Sequence, residues 1–260
     1  MKIKSYINEH SKTNLVFIPG GPGLSSISFE KLIPLKEKYS LFFLDPVGTT
    51  TELNDSHSYE ILLDEVKEAI KDLANVVLCA HSFGGIQAID ITANNYQNIK
   101  GLIVIGSPVS NRAFSSLGER FEKGITDKHI EISGKLEKQP TDEIYKEWFY
   151  IYRKFYFHPD HADQCIATIT DDSVCVKSYT EAIAESATKE DRLHKLKSVD
   201  IPKLFISGEA DLVMPPEPAK DEAALGGFNL KIINNAGHFA HYEQPQQTIE
   251  TIDNFLSGEK

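Results

Sequence analysis

The chain has 260 residues, of which 41% are hydrophobic and 25% charged, and its formal net charge is −11. A chain of this length and composition folds around a core without disulfides or a structural metal, and its charge argues against binding to nucleic acid or anionic lipid. The three cysteines lack metal-ligand spacing, no apolar run is long enough to span a membrane, and the N-terminus lacks a signal-peptide pattern, so we expect a cytoplasmic protein.

Short apolar runs alternate with amphipathic segments, which predicts an α/β fold with a mostly parallel sheet. Continuous apolar runs are typical of strands that are buried on both faces. The chain opens with a strand at roughly residues 2–7, and six buried strands follow at 14–19, 39–45, 76–80, 102–106, 203–207 and 230–234.

Helices are predicted between these strands. Apolar residues recur on one helical face from residue 58 to 73, and Ser58 is a suitable N-cap. A second helix begins just after Ser82 and runs to about Asn95. A third runs from near Gln246 to near Leu256, with Pro245 in its first turn.

Residues 110–190 interrupt the alternation and are typical of several amphipathic helices without a buried strand. The segment 148–157 holds seven aromatic residues in ten positions, beginning with Trp148. Such a segment either packs as a hydrophobic seam against the rest of the protein or contributes rings to a substrate pocket.

The sequence A-H-S-F-G-G at residues 80–85 lies between a predicted strand and a predicted helix. A serine in such a tight turn projects its hydroxyl from the edge of the sheet, and small residues are needed two positions before and after it. Ala80 and Gly84 meet this need, and the helix N-terminus favours negative charge at the serine. The turn therefore predicts Ser82 as a nucleophile. The alternative is that Ser82 is an ordinary helix N-cap followed by a Gly-Gly kink.

The sequence P-G-G-P-G at residues 19–23 directly follows the strand at 14–19. Glycines permit a loop whose N–H groups turn inward, which is how one half of an oxyanion hole is built. The other N–H would come from Phe83, the residue after the nucleophile. The two prolines and the absence of phosphate-loop spacing argue against a nucleotide site.

An acid and a base follow the last two strands, in the chain order serine, acid, histidine that suits this arrangement. Asp211 is the predicted acid and His238 the predicted base. Glu209 and His241 are the nearest rivals for these roles. His81 is expected to support the turn or the pocket wall, and Asp45 to anchor its own loop.

These segments together resemble the α/β-hydrolase superfamily from about residue 14 onward, and the G-G-P-G loop is closest to that of its proline iminopeptidase-like branch. The resemblance implies that residues 110–190 form a helical cap between the strands at 102–106 and 203–207, on a core formed by residues 1–109 and 191–260. It also implies an oxyanion hole from the N–H groups of Gly21 and Phe83. Gly20, His81 and Trp148 are the predicted substrate contacts.

In aminopeptidase relatives, cap glutamates hold the free amino group of the substrate. The candidates for that role in this chain are Glu119, Glu122, Glu143, Glu147, Glu181 and Glu185. The sequence does not single out one of them, and the alternative is that they are solvated helix faces.

The leading hypothesis is a serine hydrolase that cleaves a small ester, amide or peptide through an acyl-enzyme, with aminopeptidase and carboxylesterase both open. The turn A-H-S-F-G at residues 80–84, a nucleophile elbow, is equally typical of esterases, lipases and carbon–carbon bond hydrolases. Acyl transfer, a cofactor-free lyase reaction and a non-catalytic ligand-binding homologue are further alternatives. We expect no cofactor and no metal, a small-molecule or short peptide substrate, and neither nucleic acid nor membrane as a partner. The sequence leaves the oligomeric state open.

Overall fold

Seven strands of the described chain form one sheet in the order β1-β3-β2-β4-β5-β6-β7. The computed structural model describes residues 1–51, 56–94, 97–171, 173–186 and 192–258. β1 pairs antiparallel with β3, and the other pairs are parallel, which confirms the predicted fold class. The strands are β1 (Lys2–Tyr6), β2 (Asn14–Ile18), β3 (Ser40–Asp45), β4 (Val76–His81), β5 (Ile99–Ile105), β6 (Lys203–Gly208) and β7 (Asn229–Ile233).

Helices cover both faces of this sheet, and a 3-10 helix (Ser26–Glu37) follows the glycine loop. The helices that accompany the strands are α1 (Tyr59–Ile70), α2 (Phe83–Ala93), α8 (Arg192–Lys197), α9 (Pro216–Gly226), α10 (Ala240–Glu243) and α11 (Pro245–Ser257). Between β5 and β6 the chain forms α3 (Asn111–Glu122), α4 (Asp127–Lys138), α5 (Asp142–Tyr156), α6 (Ala162–Asp171) and α7 (Val176–Ser186).

The alternation of side chains along each strand divides the core into two layers. Val16 and Ile18 of β2 pack in the layer that contains α1 and α2. Leu15 and Phe17 pack in the opposite layer, against the 3-10 helix and α11. Both sets are almost completely buried, which explains why the sequence shows continuous apolar runs rather than alternating ones.

The helices α3 to α7 build a third hydrophobic cluster, which is centred on α5. The residues of the aromatic segment 148–157 lie in two environments: Phe155 and Phe157 are buried in the cluster, whereas Trp148 and Tyr156 line the cavity described below. Phe157 stacks on Phe239 of the core with ring centroids 4.9 Å apart. The predicted boundary at Glu190 lies outside the described residues, and the division into core and cap domains stays a prediction.

The helix prediction is confirmed where the sequence is amphipathic or well capped. The side chain of Ser58 accepts a hydrogen bond from the N–H of Ile61, as expected of an N-cap. The predicted end of α2 at Asn95 lies outside the described residues. The sequence analysis did not predict the 3-10 helix, which is weakly amphipathic and contains Pro34. It also did not predict α9, whose first residues, from Pro216, are rich in proline.

No helix in the described part of the chain is both long and apolar enough to cross a membrane. The cytoplasmic location stays a prediction. Cys79 is completely buried in β4 and, like the other two cysteines, forms no disulfide.

Candidate active site

Ser82 occupies a sharp turn between β4 and α2. Its backbone has φ 51° and ψ −119°, a left-handed conformation that costs free energy for a residue with a side chain. Two hydrogen bonds tie this turn to the end of β5 and the residues after it: the N–H of Ser82 donates to Ile105 O at 2.9 Å, and the hydroxyl of Ser107 donates to Ser82 O at 2.7 Å. The strained geometry predicted for a nucleophile elbow is therefore present and is fixed from the neighbouring strand.

The turn is packed so closely that glycine is required beside the serine. A Cβ atom at Gly84 would lie 2.4 Å from Pro19 O and 2.5 Å from Ile18 O, inside van der Waals contact. A Cβ at Gly20 would lie 3.0 Å from the Cβ of Ser82. The glycine loop therefore lies directly against the elbow, as the sequence predicts.

Asp211 and His238 are brought together at the carboxyl ends of β6 and β7. Oδ2 of Asp211 lies 3.0 Å from Nδ1 of His238, and both residues are 1% exposed. Oδ1 of Asp211 accepts hydrogen bonds from the N–H groups of Val213 and Met214, each at 2.8 Å. Because one carboxylate oxygen is occupied by the backbone, the other is held towards the imidazole.

Gly106, at the end of β5, makes room for this pair. Its φ is +58°, and a Cβ there would lie 3.0 Å from Nδ1 of His238 and 3.1 Å from Oδ2 of Asp211. The sequence reading assigned no role to this glycine. Its signal was a glycine at the end of a buried strand, where a side chain would otherwise project into the loops of the site.

Arg120 of α3 holds the loop that carries Asp211, the predicted acid. Its Nε donates to Leu212 O at 2.9 Å and its Nη2 donates to Val213 O at 2.8 Å. The sequence reading missed this residue because a surface arginine of an amphipathic helix carries no signal of a backbone contact 92 positions further along the chain.

Ser82 and His238 line the same cavity, which has a volume of about 260 Å³. Nε2 of His238 is buried and makes no hydrogen bond to the part of the chain that the structure describes. The structure thus brings the predicted nucleophile and base to one cavity without a hydrogen bond between them. Hydrogen bonds of this kind often tighten only when substrate is bound.

The predicted oxyanion donors lie at the same place. Gly21 and Phe83 both line the cavity beside Ser82, and Phe83 is the first residue of α2. No hydrogen bond to the described residues involves the amide of either residue. Two uncommitted backbone donors near a serine are what stabilisation of an oxyanion requires.

The rivals for the acid and the base lie elsewhere. Glu209 is exposed, and its Oε2 accepts a hydrogen bond from the N–H of Asn235. His241 is buried with Nε2 3.0 Å from the hydroxyl of Ser28, and its ring stacks on Phe29. Burial and the nearby His238 lower the pKa of His241 to about 3, so it is a neutral core residue.

His81 and Asp45 support the loops of the site. Nε2 of His81 lies 3.0 Å from His238 O, and burial lowers the pKa of this imidazole well below its usual value. Oδ1 of Asp45 accepts hydrogen bonds from both the N–H and the hydroxyl of Ser26. The expectation that Asp45 anchors its own loop needs correction, because it holds the segment that leaves the glycine loop.

The cavity is mainly apolar. Trp148 and His81, two of the predicted substrate contacts, line it, whereas Gly20 is not among the described residues that do. Among these lining residues there is no carboxylate, lysine or arginine. Its aliphatic and aromatic walls include Ile86, Pro108, Phe114, Leu117, Ile183 and Val213.

None of the six candidate cap glutamates lines the cavity in the described structure. Glu119, Glu122 and Glu143 are exposed, and Glu147 forms an exposed ion pair with Lys135. Glu181 and Glu185 accept hydrogen bonds from the backbone of residues 57 and 59 respectively. No group of three or more metal-binding side chains occurs in the described residues.

A sequence profile of the alpha/beta hydrolase family matches residues 15–251, which is most of the chain. The chain belongs to this family. The match runs from within β2 into α11, and it therefore includes the elbow, the glycine loop, the predicted acid and the predicted base.

Relatives with assigned names include a peptidase and an esterase. The chain is 25% identical to a proline iminopeptidase of Saccharolobus solfataricus, covering 97% of this chain and 87% of that protein. It is 23% identical to the carboxylesterase YbfK of Bacillus subtilis, and the match covers 94% of this chain and 80% of that protein. Among solved structures, a thermophilic esterase from Thermogutta terrifontis superimposes with a TM-score of 0.79 at 16% identity. The superposition covers 99% of this chain and 93% of that chain, and this likeness shows the fold.

Proposed function

We propose that this alpha/beta hydrolase is a serine hydrolase that cleaves small, apolar carboxylic esters through an acyl-enzyme. One observation carries the proposal. Ser82, on a strained elbow, lines the same apolar cavity as His238, and Nδ1 of His238 lies 3.0 Å from Oδ2 of the buried Asp211. Separate loops supply these three side chains, and the fold alone would not require them to converge.

In the proposed reaction, His238 removes the proton of the Ser82 hydroxyl as it attacks the ester carbonyl. The proton on Nδ1 of His238 faces Asp211, so Nε2 is the free base, and the carboxylate stabilises the imidazolium that forms. The amides of Gly21 and Phe83 stabilise the oxyanion. His238 then protonates the leaving alcohol, and water cleaves the acyl-enzyme by the same steps.

The cavity lining supports an ester rather than an aminoacyl substrate. A free α-amino group is charged at neutral pH, and its transfer into an apolar cavity is costly unless a carboxylate pairs with it. The described residues provide no carboxylate in the lining, and the six cap glutamates lie elsewhere. A neutral ester with apolar groups meets the described walls without this cost.

Aminopeptidase activity is the second candidate. The observation that favours it is that relatives named proline iminopeptidase match nearly the whole chain at 25% and 26% identity. Such an activity in this chain would require an anion in the cavity, and the described residues offer only neutral groups there.

Turnover of p-nitrophenyl butyrate and of L-proline β-naphthylamide by the same preparation tests the two candidates. We expect the wild type to hydrolyse the butyrate and to leave the proline amide intact. Ser82→Ala should abolish turnover, and Ser115→Ala, a change at an exposed serine of α3, should not.

Preferential cleavage of the proline amide would overturn the ester proposal in favour of the peptidase. Folded wild type that cleaves neither compound and is not labelled by a serine-directed probe would contradict the serine hydrolase proposal itself. Analysis of the products distinguishes hydrolysis from acyl transfer, because hydrolysis releases one free acid for each nitrophenol.

A further inference from the structure

Two tyrosine hydroxyls of the helices between β5 and β6 have no partner within the described protein. Tyr156, the last residue of α5, and Tyr179, in α7, both line the cavity that contains Ser82 and His238. Neither hydroxyl makes a hydrogen bond to a described residue, and each tyrosine is half-buried. Both are hydrogen-bond donors in an otherwise largely apolar cavity.

Three buried tyrosines nearby are paired within the protein, unlike the half-buried Tyr156 and Tyr179. The hydroxyl of Tyr145 donates to Pro22 O at 2.9 Å, that of Tyr152 lies 3.0 Å from the hydroxyl of Ser133, and that of Tyr242 donates to the hydroxyl of Thr168 at 2.8 Å. Even the indole N–H of Trp148, another cavity residue, donates to Ser133. These aromatic side chains near the cavity thus find partners within the protein, as most buried polar groups do.

Tyr156 is held next to the proposed base. Its carbonyl oxygen accepts a hydrogen bond of 2.7 Å from the N–H of His238, and the two rings are 5.6 Å apart. The ring of Tyr179 lies 4.9 Å from that of Tyr145, which is anchored to the glycine loop through Pro22. Each of the two phenols therefore packs against a described neighbour: Tyr156 against His238, and Tyr179 against Tyr145.

Both phenols remain protonated through the neutral pH range. Burial raises the pKa of Tyr156, and the neighbouring Tyr179 raises it further. Burial is also the main cause that raises the pKa of Tyr179. The neighbouring Tyr152 also raises the pKa of Tyr179, so both hydroxyls are protonated and would act as donors.

We propose that Tyr156 and Tyr179 donate hydrogen bonds to a second, neutral oxygen of the substrate, separate from the scissile carbonyl. This inference rests on the proposed esterase function and specifies its substrate class: an ester whose otherwise apolar chain carries an ether, ketone or further ester oxygen. A carboxylate is not the expected acceptor, because the described lining has no lysine or arginine to pair with it. The scissile carbonyl is left to the amides of Gly21 and Phe83.

Isosteric esters provide the test. The acyl series is p-nitrophenyl hexanoate and its analogues with oxygen in place of the fourth or fifth chain atom. The alcohol series is pentyl butyrate and 2-ethoxyethyl butyrate. The value of kcat/KM, corrected for uncatalysed hydrolysis, is measured for wild type, Tyr156→Phe, Tyr179→Phe and the double variant. Tyr150→Phe is the matched control, because Tyr150 lies on α5 but is 50% exposed.

We expect the wild type to prefer at least one oxygen-containing ester over its hydrocarbon counterpart. Each phenylalanine variant should lower kcat/KM for that ester by about fivefold to tenfold, the usual effect of one hydrogen bond, and leave the hydrocarbon ester within about twofold. Tyr150→Phe should change neither value.

Two results would overturn this inference. One is a wild type that prefers no oxygen-containing ester over its hydrocarbon counterpart in either series. The other is an equal loss of kcat/KM, in the phenylalanine variants, for the oxygen-containing ester and its hydrocarbon counterpart. Either result leaves the proposed function intact, since the hydrocarbon esters are still hydrolysed. Failure to hydrolyse any ester would instead contradict the proposed function.

Discussion

The carboxylate of Asp211 and the imidazole of His238 lie 3.0 Å apart with both side chains almost completely buried. The second carboxylate oxygen is held by two backbone N–H groups, so the acid is oriented by its own loop and not by the histidine alone. A buried carboxylate with this many donors keeps its orientation through a catalytic cycle.

Replacing the acid tests the role of this contact. Asp211→Asn keeps the shape of the residue but no longer fixes the proton on Nδ1, and we expect kcat for ester hydrolysis to fall by about a thousandfold or more. Glu209→Gln removes the rival carboxylate, which is exposed, and should leave kcat nearly unchanged. Steady-state kinetics of both variants on one ester decides which carboxylate is the acid. A large loss of kcat in Glu209→Gln with little loss in Asp211→Asn would reassign the acid to Glu209.

Gly106→Ala tests the packing of the pair without changing either member. The added methyl group would lie within about 3 Å of His238 and Asp211, on a backbone with φ +58°. We expect a large loss of kcat and a destabilisation of about 1–3 kcal/mol from strain. Gly118→Ala in α3, where a Cβ meets nothing within 4 Å, is the control and should preserve kcat. Full activity of Gly106→Ala would show that the pair tolerates displacement.

Arg120 is predicted to act on the reaction through the position of Asp211. Arg120→Ala removes both hydrogen bonds to the 212–213 backbone, and we expect kcat to fall about tenfold with little change in KM. Arg120→Lys should restore part of the loss. Arg112→Ala, at an exposed position of the same helix, should behave as wild type. A change confined to thermal stability would mean that Arg120 has only a structural role.

His241 is predicted to link stability to pH. Because the folded protein lowers its pKa to about 3, the unfolded chain binds a proton there below about pH 6.5 that the folded protein does not bind. Its contribution to stability is therefore present above about pH 6.5 and is lost as the pH falls towards 3. His81, whose pKa is also lowered, acts in the same direction.

Urea unfolding between pH 4 and 6 measures this linkage. The free energy of unfolding of the wild type should fall with decreasing pH, and His241→Gln should reduce that slope by about 1.4 kcal/mol per pH unit, the value for one proton. An unchanged slope in His241→Gln would show that this histidine is protonated in the folded protein or does not govern the transition.

Much of the fold was predictable because its central strands, β2 to β6, are buried on both faces, whereas the edge strands β1 and β7 are partly exposed. Residues 76–80 and 204–206, for example, are apolar without interruption, and they lie in β4 and β6, whose ends are within one residue of the predicted ones. Ser82 and Phe83 are predictable because an elbow leaves a local signal at fixed positions, and the family resemblance implies Gly21 within the glycine loop. The cavity has both of these segments in its lining.

The residues that the sequence did not reveal are those whose roles depend on packing between distant segments. Tyr145 and Tyr179 both lie in amphipathic helices, and the sequence does not distinguish them. The hydroxyl of Tyr145 nevertheless donates to Pro22 O, whereas Tyr179 lines the cavity and its hydroxyl has no partner among the described residues. Gly106 is one of 16 glycines, and only the approach of Asp211 and His238 distinguishes it. The position of the cap glutamates outside the cavity likewise follows from how the helices pack, which periodicity alone does not specify.

The nucleophile is tested most directly by a fluorophosphonate probe followed by mass spectrometry of the intact protein and its peptides. We predict the mass increase of one probe, located at Ser82, in wild type, and no labelling of a folded Ser82→Ala variant. Folded wild type that stays unlabelled, or a probe found on another residue such as Ser107, would contradict the account.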